Sequence, residues 1–364
     1  MAVSKKKSLV GLDIGSHCIK LVEIEHTNRG RVLRNFGVAA TPPNAIVEGS
    51  VKDVEAVSAA IKSLFRNLKV RNSNVAVSLS GYSVIAKKIA LDRMEESQIE
   101  KAIQEEAEKY IPYDISEVNL DFAMVNSKSE AEEVTEGEGE SAGPERMEMM
   151  LVAAKREIID EYVELVRAAD LNPGVLDVDI FALQNAVEIS WEGSEECFAI
   201  VNLGAKELEI NAISGGVSTF SRDSSYGGAQ ITEAIMSEFG IDFQEAEKLK
   251  LGGIELDKKK REGLEKIVTR TVLAWVGEIK RALDFVASTH ADDAIGKIIV
   301  SGGSSRIPGF QKYLEMETRI SVEALDPFKS LVIDSKRVDP DYLNYMAPQA
   351  GVAVGLALRY IDDK

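Results

Sequence analysis

The sequence predicts an α/β protein with two related lobes and a small inserted α+β subdomain, and three observations favour this fold class. The chain has 364 residues, 45% of them hydrophobic, which is enough for two cores. Short apolar strands alternate along it with amphipathic helices. The order strand, glycine break, strand, strand occurs at residues 9–40 and again at 198–221. We interpret this recurrence as a duplication of architecture without strong sequence identity.

The first copy of the pattern begins with a β-hairpin. A strand at residues 9–13 breaks at Gly15 and Ser16, and residues 19–24 alternate between apolar and polar side chains as a second strand does. A third strand is predicted at 32–40. The unit continues with an amphipathic helix and a short apolar strand, predicted at residues 54–68 and 75–79.

A segment of different composition separates the two copies. Residues 129–145 contain seven glutamates and no basic residue, so we expect a disordered, solvated loop there, with an acidic docking segment as the alternative. A charged helix over 97–110 ends before Pro112, because a proline disfavours helical geometry in the residue before it. The other elements predicted in this segment are strands at 84–89, 118–125 and 147–154 and a helix at 158–169.

The second copy of the pattern follows the inserted segment. A strand at 175–178 leads into a helix that begins at Ile180. The remaining predicted elements are strands at 198–203, 208–213 and 216–221, helices at 231–239, 244–251 and 263–289, a strand at 297–300 and a final helix at 349–360.

Charge and cysteine usage narrow the class of protein. Asp and Glu number 60 against 43 Lys and Arg, and the formal net charge of −17 at pH 7 disfavours non-specific contact with nucleic acid or anionic lipid. Cys18 and Cys197 lie far apart, so we expect free thiols in a reducing compartment. The three histidines are not grouped at ligand spacing, which argues against a zinc site. Apolar stretches are too short for a signal peptide or a membrane span, so we expect a cytoplasmic protein.

The first candidate site is the hairpin turn at Gly11 to Ser16 (GLDIGS), followed by Lys20. Without a Cβ, Gly15 lets backbone N–H groups approach an anion closely. Ser16 adds a hydroxyl donor, Asp13 can hold magnesium directly or through water, and Lys20 can reach a phosphate. A plain β-hairpin with an Asp-x-Gly turn is the alternative interpretation.

The second candidate site is the strand and turn at Ile298 to Phe310 (IIVSGGSSRIPGF). A buried strand leads to Gly302 and Gly303, and a flat base or ribose can lie against their bare backbone. Residues 307–309 then turn the chain into another helix. A purely structural turn between strand and helix is the alternative.

The third candidate is a pair of charged residues on one predicted helix. Glu247 and Lys250 are three positions apart, so both project from the same face and can hydrogen-bond a ribose and an adenine edge. An isolated pair of this kind is usually a solvated helix face. We therefore consider the pair a candidate site only because the other two segments accompany it.

In this order, the segments resemble the actin-like ATPase superfamily, with its ribonuclease H-like two-lobed fold, and most closely the PilM family of type IV pilus assembly proteins in the FtsA/PilM branch. Gly11 to Ser16 is similar to the first phosphate motif, and residues 301–310 are similar to the adenosine motif. Residues 178–183 and 350–357 resemble the two connecting segments between the lobes. Residues 226–232, like the Glu247 helix, resemble further nucleotide contacts. The likeness covers essentially the whole chain.

This resemblance implies a cofactor, ATP or ADP with Mg²⁺, between the two lobes. It makes Asp13 the metal ligand and Asp179 the candidate catalytic acid. The implied cofactor-binding residues are Gly15, Ser16, Lys20, Gly204, Gly227, Gly228, Glu247, Lys250, Gly302, Gly303, Ser304 and Arg306.

The resemblance also implies how the chain divides into subdomains. The first lobe (subdomain 1A) is expected from residues 1–83 and 173–197, and the inserted subdomain 1C from 84–172. The second lobe is expected to comprise 198–226 and 297–349 as subdomain 2A and 227–296 as subdomain 2B, with a C-terminal helix at 350–364 closing on the first lobe.

The second phosphate motif departs from the family pattern. The family typically has Asp-x-Gly-Gly-Gly-Thr, whereas residues 202–207 are Asn-Leu-Gly-Ala-Lys-Glu. Asn202 brings no charge to a metal. Asp179 occupies the place where related ATPases often carry the longer Glu or Gln that positions the attacking water. We therefore expect ATP binding with slow or absent hydrolysis.

The function implied by the resemblance is that of a cytoplasmic component of the type IV pilus inner-membrane platform. Its implied partners are the N-terminal cytoplasmic tail of PilN, docked beside the inserted subdomain, and the platform and motor proteins of the pilus. A small-molecule kinase and an FtsA-like filament former are the alternatives. The sequence ends directly after the second connecting segment, so we expect membrane contact through a partner. A homo-oligomer or ring is left open, and nucleic acid is not an expected partner.

Overall fold

The computed structural model of the protein describes residues 8–125, 146–191, 197–252, 257–289, 294–334 and 338–361. The predicted acidic loop at 129–145 lies outside these described residues. The chain folds into two similar lobes and a small module inserted in the first, as the sequence predicts. The boundaries drawn between the subdomains stay a prediction.

The first lobe contains the N-terminal hairpin and the strands and helix that pack around it. Asp53 caps the start of its long helix by accepting a hydrogen bond from the Ala56 N–H, and Lys69 ends that helix in the left-handed region. Its elements are β1 (Val10–Ile14), β2 (Cys18–Thr27), β3 (Gly30–Ala40), β4 (Ile46–Val47), β5 (Ser50–Val51), α1 (Val54–Leu68) and β6 (Asn74–Leu79).

The inserted module is a three-stranded antiparallel sheet with a helix packed on one face. Ile99 and Ile103 of that helix are buried against Met149 and Leu151 of the sheet, which gives the module a core of its own. Its elements are β7 (Val84–Asp92), α2 (Glu96–Ala107), β8 (Val118–Val125) and β9 (Arg146–Lys155), in the sheet order β7-β9-β8. The chain returns to the first lobe through α3 (Arg156–Ala168), β10 (Asn172–Val178) and α4 (Asp179–Ser190).

The second lobe repeats the strand pattern of the first around a separate core. Trp275 is completely buried there, and its indole N–H donates to Gln230 Oε1 at 3.0 Å. The elements are β11 (Phe198–Leu203), β12 (Leu208–Ser214), β13 (Val217–Ser224), α5 (Ala229–Phe239), α6 (Phe243–Lys250), α7 (Lys258–Thr289), β14 (Lys297–Ser301), α8 (Phe310–Thr318) and β15 (Ser321–Ala324). The chain ends with β16 (Val332–Ile333), α9 (Pro340–Met346) and α10 (Gly351–Ala357).

The two large sheets have the same strand order. In the first lobe the order is β10-β6-β1-β2-β3, extended by β16 at one edge, and in the second it is β15-β14-β11-β12-β13. In both, the hairpin and the third strand pair antiparallel, and the other two strands run parallel to the first. The predicted duplication and the two-lobed α/β fold are therefore confirmed.

Two helices connect the lobes and cross at very short range. A Cβ on Gly355 of α10 would lie 1.6 Å from the carbonyl oxygen of Ala182 in α4, so only glycine permits this approach. Gly351, one turn earlier, would bring a Cβ within 2.4 Å of Leu183 Cδ1. The two helices therefore touch through their backbones at this crossing.

The predicted C-terminal helix at 349–360 is wrong at both ends. A short 3₁₀ turn at Ala347–Gln349 precedes it, where Pro348 lacks the N–H that an α-helix needs, and α10 covers only Gly351–Ala357. Tyr360 instead forms an isolated β-bridge with Ser8. The structure also has two short edge strands, β15 and β16, that the sequence pattern did not predict. Within the described ranges, no helix combines the length and the hydropathy needed to cross a bilayer.

Candidate functional site

A cleft of about 910 Å³ lies between the two lobes, and both lobes contribute to its walls. Its volume is in the range of cofactor and substrate pockets. Every residue predicted for the site lines this cleft except Gly228. They are Asp13, Gly15, Ser16, Lys20, Asp179, Gly204, Gly227, Glu247, Lys250, Gly302, Gly303, Ser304 and Arg306.

The first-lobe wall carries an ion pair across the β1–β2 hairpin. Asp13 and Lys20 are directly opposite each other in register, and Lys20 Nζ lies 2.7 Å from Asp13 Oδ2. Their side chains are only 10% and 12% exposed. Burial has the largest single effect and lowers the pKa of Lys20, but the charge and hydrogen bond of Asp13, together with the charges of Cys18 and Asp179, outweigh it, and the pKa is raised. The first lobe therefore places a permanent, compensated cation in the cleft.

The turn of this hairpin is fixed by its own backbone. The Gly15 N–H donates to the Cys18 carbonyl at 3.2 Å, and Thr41 Oγ1 donates to the Gly15 carbonyl at 2.6 Å. Ser16 is half-buried at the edge of the cleft, beside Gly15. The turn is thus held open toward the cleft, as an anion-binding loop requires.

Asp179 lies at the first residue of α4, next to the first-lobe hairpin. Burial raises its pKa well above the ordinary value, and the nearby carboxylate of Asp13 raises it further, while a hydrogen bond with Ser78 lowers it. A carboxyl group in this state is a proton donor rather than a base. Its role in catalysis stays a prediction.

The second-lobe wall carries a different pair at the equivalent place. Asn202 and Glu209 face each other across the β11–β12 hairpin, and Asn202 Nδ2 donates to Glu209 Oε2 at 2.6 Å. Asp223 on β13 is in turn opposite Glu209. Glu209 lines this wall, with Asp223 beside it, and neither was predicted as a site residue. The signal was present, because Asn202 and Glu209 have the same seven-residue spacing as Asp13 and Lys20.

The turn at Gly204 connects three segments of the second lobe. Its N–H donates to the Glu207 carbonyl at 2.8 Å, and its carbonyl accepts from the Gly228 N–H at 3.1 Å and from Ser304 Oγ at 2.7 Å. Gly228 lies behind the cleft wall, since a Cβ there would be 2.3 Å from Ser304 Oγ. A Cβ on Gly227 would be 2.4 Å from the Ala205 carbonyl oxygen. The absence of side chains at Gly227 and Gly228 therefore allows neighbouring segments of the wall to pack in direct contact.

Glu247 and Lys250 project from one face of α6, as the sequence predicts. Lys250 Nζ donates to Glu247 Oε1 at 2.5 Å, to Thr232 Oγ1 at 2.9 Å and, more weakly, to the Gly228 carbonyl at 3.4 Å. Thr232 Oγ1 donates to Glu247. This partly buried network fixes two hydrogen-bonding side chains at the side of the cleft.

Gly302 brings bare backbone to the cleft wall beside β11. Gly302 has a φ of +86°, and a Cβ there would be 2.3 Å from the Leu203 carbonyl oxygen. Its N–H donates to the Pro348 carbonyl at 2.7 Å. Arg306 stacks on the ring of Tyr345, with Cζ 4.3 Å from the ring centroid and Nη1 donating to the Tyr345 carbonyl at 3.0 Å. The guanidinium is therefore held flat at the cleft wall.

Acidic residues of the second lobe have raised pKa values. Burial raises the pKa of Glu207 to about 7, although a hydrogen bond with Ser80 opposes the shift, and burial raises the pKa of Asp223 to about 6. At the mouth of the cleft both residues meet the first lobe. Ser80 Oγ donates to Glu207 Oε1 at 3.4 Å, and a Cβ on Gly81 would lie 2.0 Å from Asp223 Cγ. Two acids with raised pKa values thus lie where the second lobe contacts the first.

The chain is similar to a known protein family and to several solved structures. The family model described as type IV pilus assembly protein PilM matches residues 11–361. The solved structure titled "PilM-PilN type IV pilus biogenesis complex" aligns over 98% of this chain and 100% of its own, with 28% identity and a TM-score of 0.85. Two more distant structures share the fold over 98% of this chain.

The first of these distant structures is the ethanolamine utilization protein EutJ from Carboxydothermus hydrogenoformans, with 15% identity, 90% of its chain covered and a TM-score of 0.55. The second is MreB 5 of Spiroplasma citri bound to AMPPNP, with 12% identity, 96% of its chain covered and a TM-score of 0.50.

Proposed function

Because the chain belongs to the family of type IV pilus assembly protein PilM, we propose that it is an actin-like component of the pilus inner-membrane platform that binds ATP or ADP between its lobes and the cytoplasmic N-terminal tail of PilN at its inserted module. It acts on the cytoplasmic side, and its contact with the membrane is through that partner. The solved structure of a PilM–PilN complex, which is similar to this chain over 98% of its length, supports PilN as the partner.

The observation that carries the nucleotide proposal is the convergence of separate sequence segments on one cleft. Segments around residues 15, 204, 247 and 302 come from four different parts of the chain, and all line the same 910 Å³ space. Lys20 and the two glycine turns suit polyphosphate, and Gly302 with the stacked Arg306 suits a base. Together these groups suit an adenine nucleotide.

Magnesium fits this arrangement through a single protein carboxylate. Asp13 uses Oδ2 for Lys20, which leaves its other oxygen for a metal or for metal-bound water. Among the residues that the structure describes, no three His, Cys, Asp or Glu side chains form a metal-binding group. Magnesium commonly keeps several waters and binds through one or two carboxylates plus phosphates, so a site of this kind suits it. When bound, it neutralises phosphate charge.

We expect slow or absent hydrolysis because of one group on each wall of the cleft. On the second lobe, Asn202 offers a neutral amide where a charged ligand would stabilise the transition state. On the first lobe, the raised pKa of Asp179 favours its protonated form, which cannot act as a base. These two features weaken chemistry more than binding.

The nucleotide proposal is tested by calorimetry on the full chain with ATP, with Mg²⁺ and with EDTA. We expect magnesium-dependent binding that Asp13→Ala weakens about tenfold or more, equal to at least 1.4 kcal/mol. Asp160→Ala, an exposed carboxylate on α3, is the matched control and should bind like the wild type. Unchanged affinity in Asp13→Ala would reject the role of that residue, and no heat with any adenine nucleotide would reject nucleotide binding.

Docking of PilN at the inserted module is supported by its exposed apolar residues and by its outer strand β8, which pairs on one side only among the strands that the structure describes. β8 is an outer strand, and Phe122 and Met124 on it are 37% and 58% exposed. An extended tail can add to such an edge or lie in a neighbouring groove.

Hydrogen–deuterium exchange of the full chain with a synthetic PilN N-terminal peptide tests this docking. We expect protection of amides in the inserted module and on the adjoining surface of the first lobe, with β12 and β13 of the second lobe as the internal reference. Protection confined to the second lobe, or none at saturating peptide, would contradict the proposed docking.

A further inference from the structure

The side chain of Glu209 is the most deeply buried carboxyl group in the wall of the cleft. Glu209 is 3% exposed, and one of its oxygens, Oε2, accepts from Asn202 Nδ2 at 2.6 Å. The other, Oε1, is buried, and no hydrogen bond reaches it from any residue that the structure describes. A carboxylate with an unmatched buried oxygen carries a large desolvation cost.

The groups that face Glu209 are acids and one amide. Three carboxyl groups act on it from three elements, Asp179 at the start of α4, Glu207 in the turn after β11, and Asp223 on β13. Asn202 on β11 supplies the hydrogen bond. Across the cleft, Lys20 is engaged by Asp13. The charge around Glu209 thus disfavours its ionised form.

We propose that Glu209 is a positioning residue that is held as a neutral carboxylic acid at pH 7, and that it fixes the Asn202 amide so that the second-lobe hairpin presents an uncharged hydrogen-bonding pair to bound phosphate. This inference rests on the proposed nucleotide function and specifies how the second lobe takes part in it. Burial first, then the carboxyl groups of Asp179, Asp223 and Glu207, raise the pKa of Glu209 well above its ordinary value.

The consequence for an anionic ligand is specific. With the acid neutral, phosphate approaches a wall whose amide is locked at 2.6 Å from its partner, and Glu209 itself adds no negative charge there. If Glu209 were ionised, the same wall would add a negative charge beside Asp179 and Glu207, and phosphate would be repelled. Recognition on this side of the cleft then depends on neutral hydrogen bonds, whereas the first lobe supplies the cation.

The first experiment does not use nucleotide. The full chain is labelled with ¹³C at glutamate side-chain carboxyl groups, and the Glu209 resonance is assigned as the one lost in Glu209→Gln. We expect this resonance to keep the shift of a protonated carboxyl at pH 7, while that of Glu157, exposed on α3 and assigned by Glu157→Gln, has the shift of a carboxylate. A carboxylate shift for Glu209 at pH 7 overturns the proposal.

The second experiment tests positioning through the side-chain amide of Asn202. Its ¹⁵N–H₂ resonances, assigned with Asn202→Ser, are compared in the wild type, Glu209→Gln and Glu209→Ala. Glutamine reproduces the shape and neutrality of the acid, so we expect the amide resonances to remain near their wild-type positions in Glu209→Gln and to move in Glu209→Ala. Equal displacement in the two variants, in chains that both give folded spectra, overturns the positioning role.

The third experiment measures ATP affinity at pH 7. We expect Glu209→Gln to retain affinity within about twofold and Glu209→Ala to lose about tenfold, because a buried amide left without a partner costs on the order of 1–3 kcal/mol. Equal loss in both variants means that the charge is needed and overturns the proposal. Absence of binding in the wild type rejects the proposed function, and the two NMR experiments still decide the state of Glu209.

Discussion

The hairpins that begin the two lobes have the same backbone arrangement and opposite electrostatics. In each, two residues seven positions apart face each other across the strands at the cleft wall, Asp13 with Lys20 and Asn202 with Glu209. The contacts are equally short, at 2.7 Å and 2.6 Å. The first pair is an ion pair whose acid is matched by a cation, whereas the second has an amide and an acid with a raised pKa.

This difference shows how a duplicated framework can divide one binding task. The fold fixes where the two cross-strand positions lie, and the residue types at those positions decide whether the wall carries charge. A polyphosphate held between the hairpins meets a cation on one side and neutral hydrogen-bonding groups on the other. The comparison leads to four predictions, in order of decreasing effect.

Breaking the first-lobe pair should have the largest effect on stability. Lys20→Ala leaves the buried Asp13 without its cation, and we expect a loss of about 3–5 kcal/mol in the free energy of unfolding, measured by urea denaturation. Removing both charges with Asp13→Asn and Lys20→Met should recover much of this loss.

The control for this variant is an ion pair outside the cleft. Lys109 and Glu106 on the inserted module are also paired at 2.5 Å, but Lys109 is largely exposed, so Lys109→Ala should cost far less stability than Lys20→Ala. Similar losses for Lys20→Ala and Lys109→Ala would show that burial of the cleft pair has no energetic importance.

Placing an aspartate in the second hairpin, at the position equivalent to Asp13, should have the next largest effect on stability. Asn202→Asp places a second carboxyl group against Glu209, and we expect a loss of about 1–3 kcal/mol at pH 8 that largely disappears at pH 5, where the pair can share a proton. Thermal unfolding at the two pH values measures it. A loss that is the same at both would mean that packing, and not charge, is responsible.

Removing the acid at the cleft mouth should stabilise the protein modestly. The pKa of Glu207 is raised to about 7 from an ordinary value near 4.5, so its ionisation penalises the folded state as pH rises from about 4.5 to 7. We expect Glu207→Gln to be more stable than the wild type by about 1–2 kcal/mol at pH 8 and equal to it at pH 4. Urea denaturation across this pH range measures the difference, and a constant difference would contradict the assigned cause.

Removing Arg306, which we propose lies beside the base, should have the smallest effect on stability. It serves as a reference for the variants in both hairpins. Arg306→Ala removes a guanidinium that stacks on an exposed tyrosine, so we expect less than about 0.5 kcal/mol of lost stability. Its ATP affinity should fall about fivefold, while tripolyphosphate should bind as it does to the wild type. Equal weakening of both ligands would place Arg306 at the phosphates.

The architecture could be predicted because it depends on local patterns of apolar residues and glycines in the sequence. Apolar strands broken by glycine recur in each half, so the duplication and the cleft residues at Gly15, Gly204 and Gly302 could be identified from spacing and resemblance. The structure confirms that these residues line one cleft, and their role in binding stays a prediction. Glu209 was missed although its seven-residue spacing from Asn202 repeats that of Asp13 and Lys20. Asp223 was missed because it comes beside Glu209 only through strand register, which spacing along the chain does not reveal. Edge strands β15 and β16 were too short to give a periodic signal.

The crossing of α4 and α10 has a mechanical consequence. The closest approach there involves Gly355 and the Ala182 carbonyl, with no side chain between them. Because the two helices touch through their backbones, no change of side-chain rotamer can relieve a strain placed on this contact. A side chain added at Gly355 would have to push α10 away from α4, and the packing of α10 on β1 would change with it.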